Sequence, residues 1–143
     1  MSKRISAADL NIDLQADGES ALFKWFLASF LMGKRIQADI ACNAYHVLVE
    51  KHQRDTPRKL ANCTHRELVA MLGEAHYVRY DESTADRLSA LSHKLNDEYG
   101  GKLSHIQAAS ENRAEFEKRL QAFDGVGPKT VEIFMREAAG VLY

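Results

Sequence analysis

The octapeptide Phe123-Asp124-Gly125-Val126-Gly127-Pro128-Lys129-Thr130 lies between two apolar stripes of helical spacing. Upstream, Phe116, Leu120 and Phe123 mark one face of a helix from Glu111 to about Ala122, with Ser110 as its cap. Downstream, Pro128 presets the first turn of a second helix to about Ala138, with Val131, Phe134 and Ala138 facing inward. Only residues 124–127 join the two, too few for anything but a tight hairpin. Glycines on both sides of Val126 admit positive φ and leave no Cβ between the backbone and a close neighbour. The amides of Val126, Gly127, Lys129 and Thr130 then point outward at the positive end of a helix dipole, where an anion is favoured. Gly-x-Gly alone marks a helix end followed by a helix start. A helix-initiating proline and Lys-Thr after it, between two apolar stripes, point to a DNA phosphate.

Outward from the hairpin, the chain is a succession of helices. Leu22/Phe23, Phe26/Leu27 and Phe30/Leu31 recur every four residues from Glu19 to about Met32, with Trp25 widening the face, so this helix forms the centre of the core. A second periodic stretch, 35–51, places Ile36, Ile40, Ala44 and Val47/Leu48 on one side. Thr56-Pro57 starts a short helix, Thr64 with Glu67 forms a capping box for the next, and Asp81 caps a long helix to about Glu98. Tyr77-Val78-Arg79-Tyr80 has a strand-like composition but no second run to pair with, and is read as a connector. A further short helical turn covers 104–109. The expected architecture is all-α: an N-terminal arm, 1–18, and one compact multi-helix domain, 19–143, ending in a helix-hairpin-helix element at 111–138.

The chain has 143 residues and 45% hydrophobic content, enough for one cored domain. No run approaches the roughly 18 apolar residues that span a bilayer, and no export signal opens the chain, so a soluble cytoplasmic protein without membrane contact is expected. Cys42 and Cys63 form no CxxC pair and lie near no cluster of metal-ligand spacing, so no iron-sulfur or other metal cofactor is expected. The histidines, His46, His52, His65, His76, His93 and His105, are scattered. A net charge of -1 does not mark a nucleic-acid binder, but 31–60 holds six basic residues (Lys34, Arg35, Lys51, Arg54, Arg58, Lys59) against three acidic ones. Tyr77 and Tyr80 are candidate stacking surfaces for bases, whereas Trp25 belongs to the core.

Residues 123–130 resemble the hairpin of endonuclease III and related base-excision repair glycosylases, whose pattern is Leu-Pro-Gly-Val-Gly-x-Lys-Thr. Arg35-Ile36-Gln37-Ala38-Asp39-Ile40-Ala41, Tyr80-Asp81-Glu82-Ser83-Thr84-Ala85 and Phe134-Met135-Arg136-Glu137 resemble an endonuclease-like bacterial branch of that superfamily. The resemblance spans 21–143 and implies a six-helix barrel module that binds duplex DNA, with little sequence specificity, beside a cleft for a flipped base. It places Lys129 where bifunctional members carry the amine that attacks C1′ and forms a Schiff base. The family's cluster-binding cysteines are missing. Its aspartate beyond the second hairpin helix has no counterpart up to Tyr143, with Asp39 or Asp124 as conceivable substitutes. Ile36 occupies the place of the family's gap-filling glutamine, with Gln37 one step away.

Three functions follow as expectations. The first is backbone binding of DNA through Gly125, Val126, Gly127, Lys129 and Thr130. The second is weak abasic-site lyase or glycosylase chemistry with Lys129 as the catalytic residue. The third is a scaffold on the same fold that no longer binds DNA.

Overall fold

Helix α1 (Gly18–Met32) has no polar face: from Ala21 to Leu31 every residue is buried except the half-buried Lys24. Such a helix is stable only when surrounded, and the others are disposed about it. They are α2 (Ala38–Tyr45), α3 (Pro57–Ala61), α4 (His65–Glu74), α5 (Asp81–Tyr99), α6 (Leu103–Ala108), α7 (Arg113–Gln121) and α8 (Pro128–Leu142). This computed structural model describes residues 5–143, and among them the fold is all-α, with no strand. No helix among the described residues is long and apolar enough to cross a membrane.

α2, α6 and α8 pack on α1, while α5 lies against α3 and α4. Trp25 donates its indole Nε1–H to the Phe134 carbonyl of α8 at 3.1 Å. The Phe26 ring meets Phe134 and Phe123 edge-on, at centroid distances of 5.4 and 5.8 Å. One aromatic cluster therefore holds the central helix against both C-terminal helices.

The N-terminal segment is more engaged than an unpatterned arm. Residues 1–4 lie outside the described residues. After them comes a 3-10 turn at Ala8–Leu10; Ala7, Leu10, Ile12 and Leu14 are buried, and the Ala7 N–H donates to Glu137 Oε2 at 2.8 Å. Leu10, Ile12 and Leu14 alternate with exposed residues, so the successive turns of this segment keep one face inward.

The stretch expected as one helix over 35–51 divides. Residues 33–36 form a turn, with Ile36 N–H on the Lys34 carbonyl at 2.8 Å; α2 starts after Gln37, and the chain widens into a π-helical segment at His46–Lys51. Because the chain is still turning at Ile36, Ile36 and Ile40 stay half-buried, and Ala41, Ala44, Tyr45, Leu48 and Val49 enter the core.

Local caps vary in the same way. Thr56 accepts from Lys59 N–H, and Thr64 and Glu67 form the reciprocal capping box. Ser110 instead donates back to the Ile106 carbonyl at 2.7 Å, leaving Asn112 to cap α7 through Glu115 N–H at 2.9 Å. Asp81 is the first residue of α5 rather than its cap, which falls on Tyr80 in the left-handed region at φ 66°.

α6 takes its N-terminal acceptor from a distant helix. Glu19, in the first turn of α1, accepts from both Leu103 N–H and Ser104 N–H at 2.9 Å. Glu19→Ala is expected to lower the unfolding free energy by about 1–2 kcal/mol in urea titrations. A loss below about 0.5 kcal/mol, the range of an ordinary surface change, would show that α6 does not depend on this carboxylate.

Candidate functional site

α7 and α8 are joined by a turn in which Val126 N–H donates to the Phe123 carbonyl at 3.1 Å. Asp124 and Gly125 occupy its centre, and Gly125 has φ +83°, as the third position of a type II turn requires. Space also demands glycine here, since a Cβ would lie 2.6 Å from Arg87 Cδ and 3.1 Å from Phe30 Cε2. One sequence-based expectation is corrected: the Val126 amide closes the turn and is not an anion donor. The amides of Gly127, Lys129 and Thr130, at the start of the 15-residue α8, have no acceptor among the described residues. Pro128 has no N–H. Three donors are thus left at the positive end of the helix. Val126 and Thr130 are buried as whole residues, whereas Gly127 is half-buried and Lys129 exposed, so the accessible donors are the amides of Gly127 and Lys129.

Two cations from elsewhere in the chain support the turn. Lys34 Nζ donates to the Gly125 carbonyl at 2.8 Å and lies 4.8 Å from the centroid of the Phe30 ring. Arg87, on α5, covers Gly125 with its aliphatic stem, and its Nε lies 3.9 Å from Asp124 Oδ1, an ion pair beyond hydrogen-bond distance. Burial and then the neighbouring Arg87 charge hold the Lys34 ammonium below the usual lysine range, while Asp124 pulls it upward. Lys34, Arg87, Asp124, Gly127 and Lys129 border one shallow groove of about 620 Å³.

Arg87 is absent from every motif read in the sequence, yet a signal for it exists. It stands three residues after Thr84 and four before Leu91, both buried, and so marks a cation on the edge of the α5 apolar stripe. Lys34 was visible only as one member of the basic run at 31–60. Within that run, Lys51 is engaged by Glu74, Lys59 pairs with Asp55 at 3.1 Å, and Arg54 is half-buried with its Nε enclosed.

Lys129 is exposed and borders a second cleft of about 760 Å³ as well, lined by Ile36, Gln37, Asp39, Glu132 and Arg136 among others. Sequence-distant candidates, Gln37, Asp39 and Lys129, therefore meet at one opening. Tyr77 is not available for stacking: it is fully buried, its hydroxyl donates to the Leu31 carbonyl at 3.4 Å, and burial pushes its pKa up to about 12. Tyr80 is exposed, with the Arg79 guanidinium 5.1 Å from its ring centroid.

Cys42 is half-buried and Cys63 buried, and burial pushes both thiols up, away from nucleophilic character. His46 and His52 each face one glutamate, and His65 lies between Glu82 at 3.1 Å and Asp86 at 2.9 Å. No group of three or more His, Cys, Asp or Glu side chains among the described residues could hold a metal ion.

Comparison of the chain with protein-family models, with curated proteins and with solved structures finds no match. The turn geometry predicts opposite tolerances at its two glycines. Gly125→Ala is expected to cost about 2–3 kcal/mol, from left-handed backbone strain and overpacking against Arg87 and Phe30. Gly127→Ala, whose Cβ meets nothing within 4 Å, is expected to cost less than about 0.5 kcal/mol. Equal losses in urea titrations would contradict this turn.

Proposed function

We propose that this chain binds duplex DNA through its phosphate backbone, with little dependence on base sequence, using α7 and α8 as a helix-hairpin-helix element. The observation that carries this is the coincidence of two accessible, unpartnered amides, those of Gly127 and Lys129, with three cations, Lys34, Arg87 and Lys129, at one groove. Amides at a helix start and ammonium or guanidinium groups are the donors that phosphate oxygens accept from. Gly125 serves by making the turn, and Val126 by anchoring it. A net charge of -1 supplies no general attraction for DNA, so binding depends on local donors such as these. The resemblance of residues 123–130 to the endonuclease III hairpin supports the same reading, and with it the barrel arrangement of the helices and a place in the cytoplasm alongside DNA.

A scaffold would present a continuous apolar face. The exposed large hydrophobic side chains among the described residues are only Val78, Tyr80, Val141 and Tyr143, two pairs about sixty residues apart in sequence. That favours the nucleic-acid reading.

A second reading, lyase chemistry on abasic DNA, is favoured by the position of Lys129 beside the cleft that also holds Asp39 and Glu132. A neutral Lys129 amine would add to the C1′ aldehyde of the opened abasic sugar and lose water to form an imine. Incubation with abasic DNA and borohydride is then expected to give a slow covalent adduct that Lys129→Gln abolishes. No adduct with the wild type, or one that survives the substitution, removes Lys129 from this chemistry.

The binding proposal is tested by salt. With two or three phosphates neutralised, the logarithm of the affinity should fall against the logarithm of salt concentration with a slope of about -2 to -3. Gly127→Asp, which sets a carboxylate in open space beside the free amides, should weaken duplex binding by at least about tenfold while the fold persists. Affinity indifferent to both salt and this substitution would overturn the proposal.

A further inference from the structure

We infer that Lys34 and Arg87 form a single-phosphate site at the hairpin groove and that Asp124 is its built-in competitor, holding the place on Arg87 that a phosphodiester takes when DNA docks. The inference rests on the backbone-binding reading for its natural ligand and adds to it the residues that receive the anion and the one that opposes it.

Three observations converge. The first is a like-charge pair: Lys34 and Arg87 both lie against Gly125, and the Arg87 charge disfavours that of Lys34 unless an anion sits between or beside them. The second is how poorly that demand is met in the free protein. Asp124 Oδ1 stands 3.9 Å from Arg87 Nε, with 69% of the Asp124 side chain and 40% of the Arg87 side chain exposed to solvent. No hydrogen bond to the Arg87 guanidinium forms among the described residues. A planar fork of five donors held by one distant carboxylate oxygen is a site with room for a better acceptor, and phosphate fits it bidentately. The third is the neighbourhood: the same groove is bordered by the free amides of Gly127 and Lys129.

Asp124 is not required by the turn. It occupies the second position, where most residues are accepted, and the turn closes through the Val126 amide and the left-handed Gly125. Removing its charge should therefore leave the hairpin intact and release Arg87. Docking exchanges one anion for another on the same guanidinium, with no covalent step.

The test is a double-mutant cycle on Asp124→Asn and Arg87→Gln. Glutamine retains the Cγ and Cδ that cover Gly125. Two probes are used at low, fixed ionic strength: inorganic phosphate, followed by the amide chemical shifts of Gly127, Lys129 and Thr130, and a mixed-sequence duplex, followed by fluorescence anisotropy. Asp124→Asn is expected to tighten phosphate and duplex binding about five- to tenfold, and Arg87→Gln to weaken both by at least about fivefold. In the Arg87→Gln background, Asp124→Asn should give no gain, because the carboxylate then has no guanidinium to occupy.

A gain of the same size in both backgrounds would mean that Asp124 merely repels anions from a distance, and would overturn the inference. So would the absence of any gain. If phosphate follows the expected pattern and no variant binds duplex, the phosphate site stands and the DNA reading falls. If duplex binds through the hairpin but Asp124→Asn leaves it unchanged, the DNA reading stands and this inference falls.

Discussion

Lys34 Nζ and the Gly125 carbonyl meet at 2.8 Å across 91 residues of sequence. That carbonyl faces the lysine only because Gly125 adopts φ +83°, and Gly125 can adopt it only because no side chain intrudes on Arg87 and Phe30. The turn at 33–36, which breaks the expected second helix, delivers the lysine to this place. A second close approach lies beside it: a Cβ on Gly33 would fall 2.2 Å from Thr130 Oγ1, so the end of α1 and the first turn of α8 touch directly. The hairpin is fixed from below at two glycines, and the unpartnered amides of Gly127 and Lys129 border the groove above it.

The rest of the fold keeps that support rigid. α1 is apolar on all sides, and its Trp25 and Phe26 engage Phe123 and Phe134, which flank the turn. These rings are fully or almost fully buried, and displacing any of them would open a cavity at the base of the hairpin. α5 contributes Arg87. The groove is thus built by three separate parts of the chain around one short turn, and only the turn is a contiguous motif.

What was legible in the sequence was local. The four-residue recurrence of Leu22, Phe26 and Phe30 announces the central helix, and Thr56 and Thr64 announce their caps because their acceptors and donors lie within three residues. Ser110 and Asp81 misled because each had a competing partner or position nearby: the Ile106 carbonyl for the serine, the left-handed Tyr80 before the aspartate. The outward amide that the glycines suggest at Val126 is taken up by its bond to Phe123, three residues back. Tyr77 looked available and is buried, because a connector can still cross the core. Arg87 is marked in the sequence only as a cation on the α5 stripe, and its partners are not, because Gly125 and Asp124 lie almost forty residues away and no spacing rule reaches that far.

Placing the function at the hairpin makes one demand on the backbone: the amides of Gly127, Lys129 and Thr130 must be the ones that respond to a ligand, while the Val126 amide, already bonded, must respond less. Amide chemical-shift mapping with a mixed-sequence DNA duplex at low salt examines this directly. The account predicts the largest changes at Gly127, Lys129 and Thr130, together with Gly125 and Lys34 beneath them, and smaller ones at Val126. Changes centred on α3 to α5, with the first turn of α8 unmoved, would contradict it.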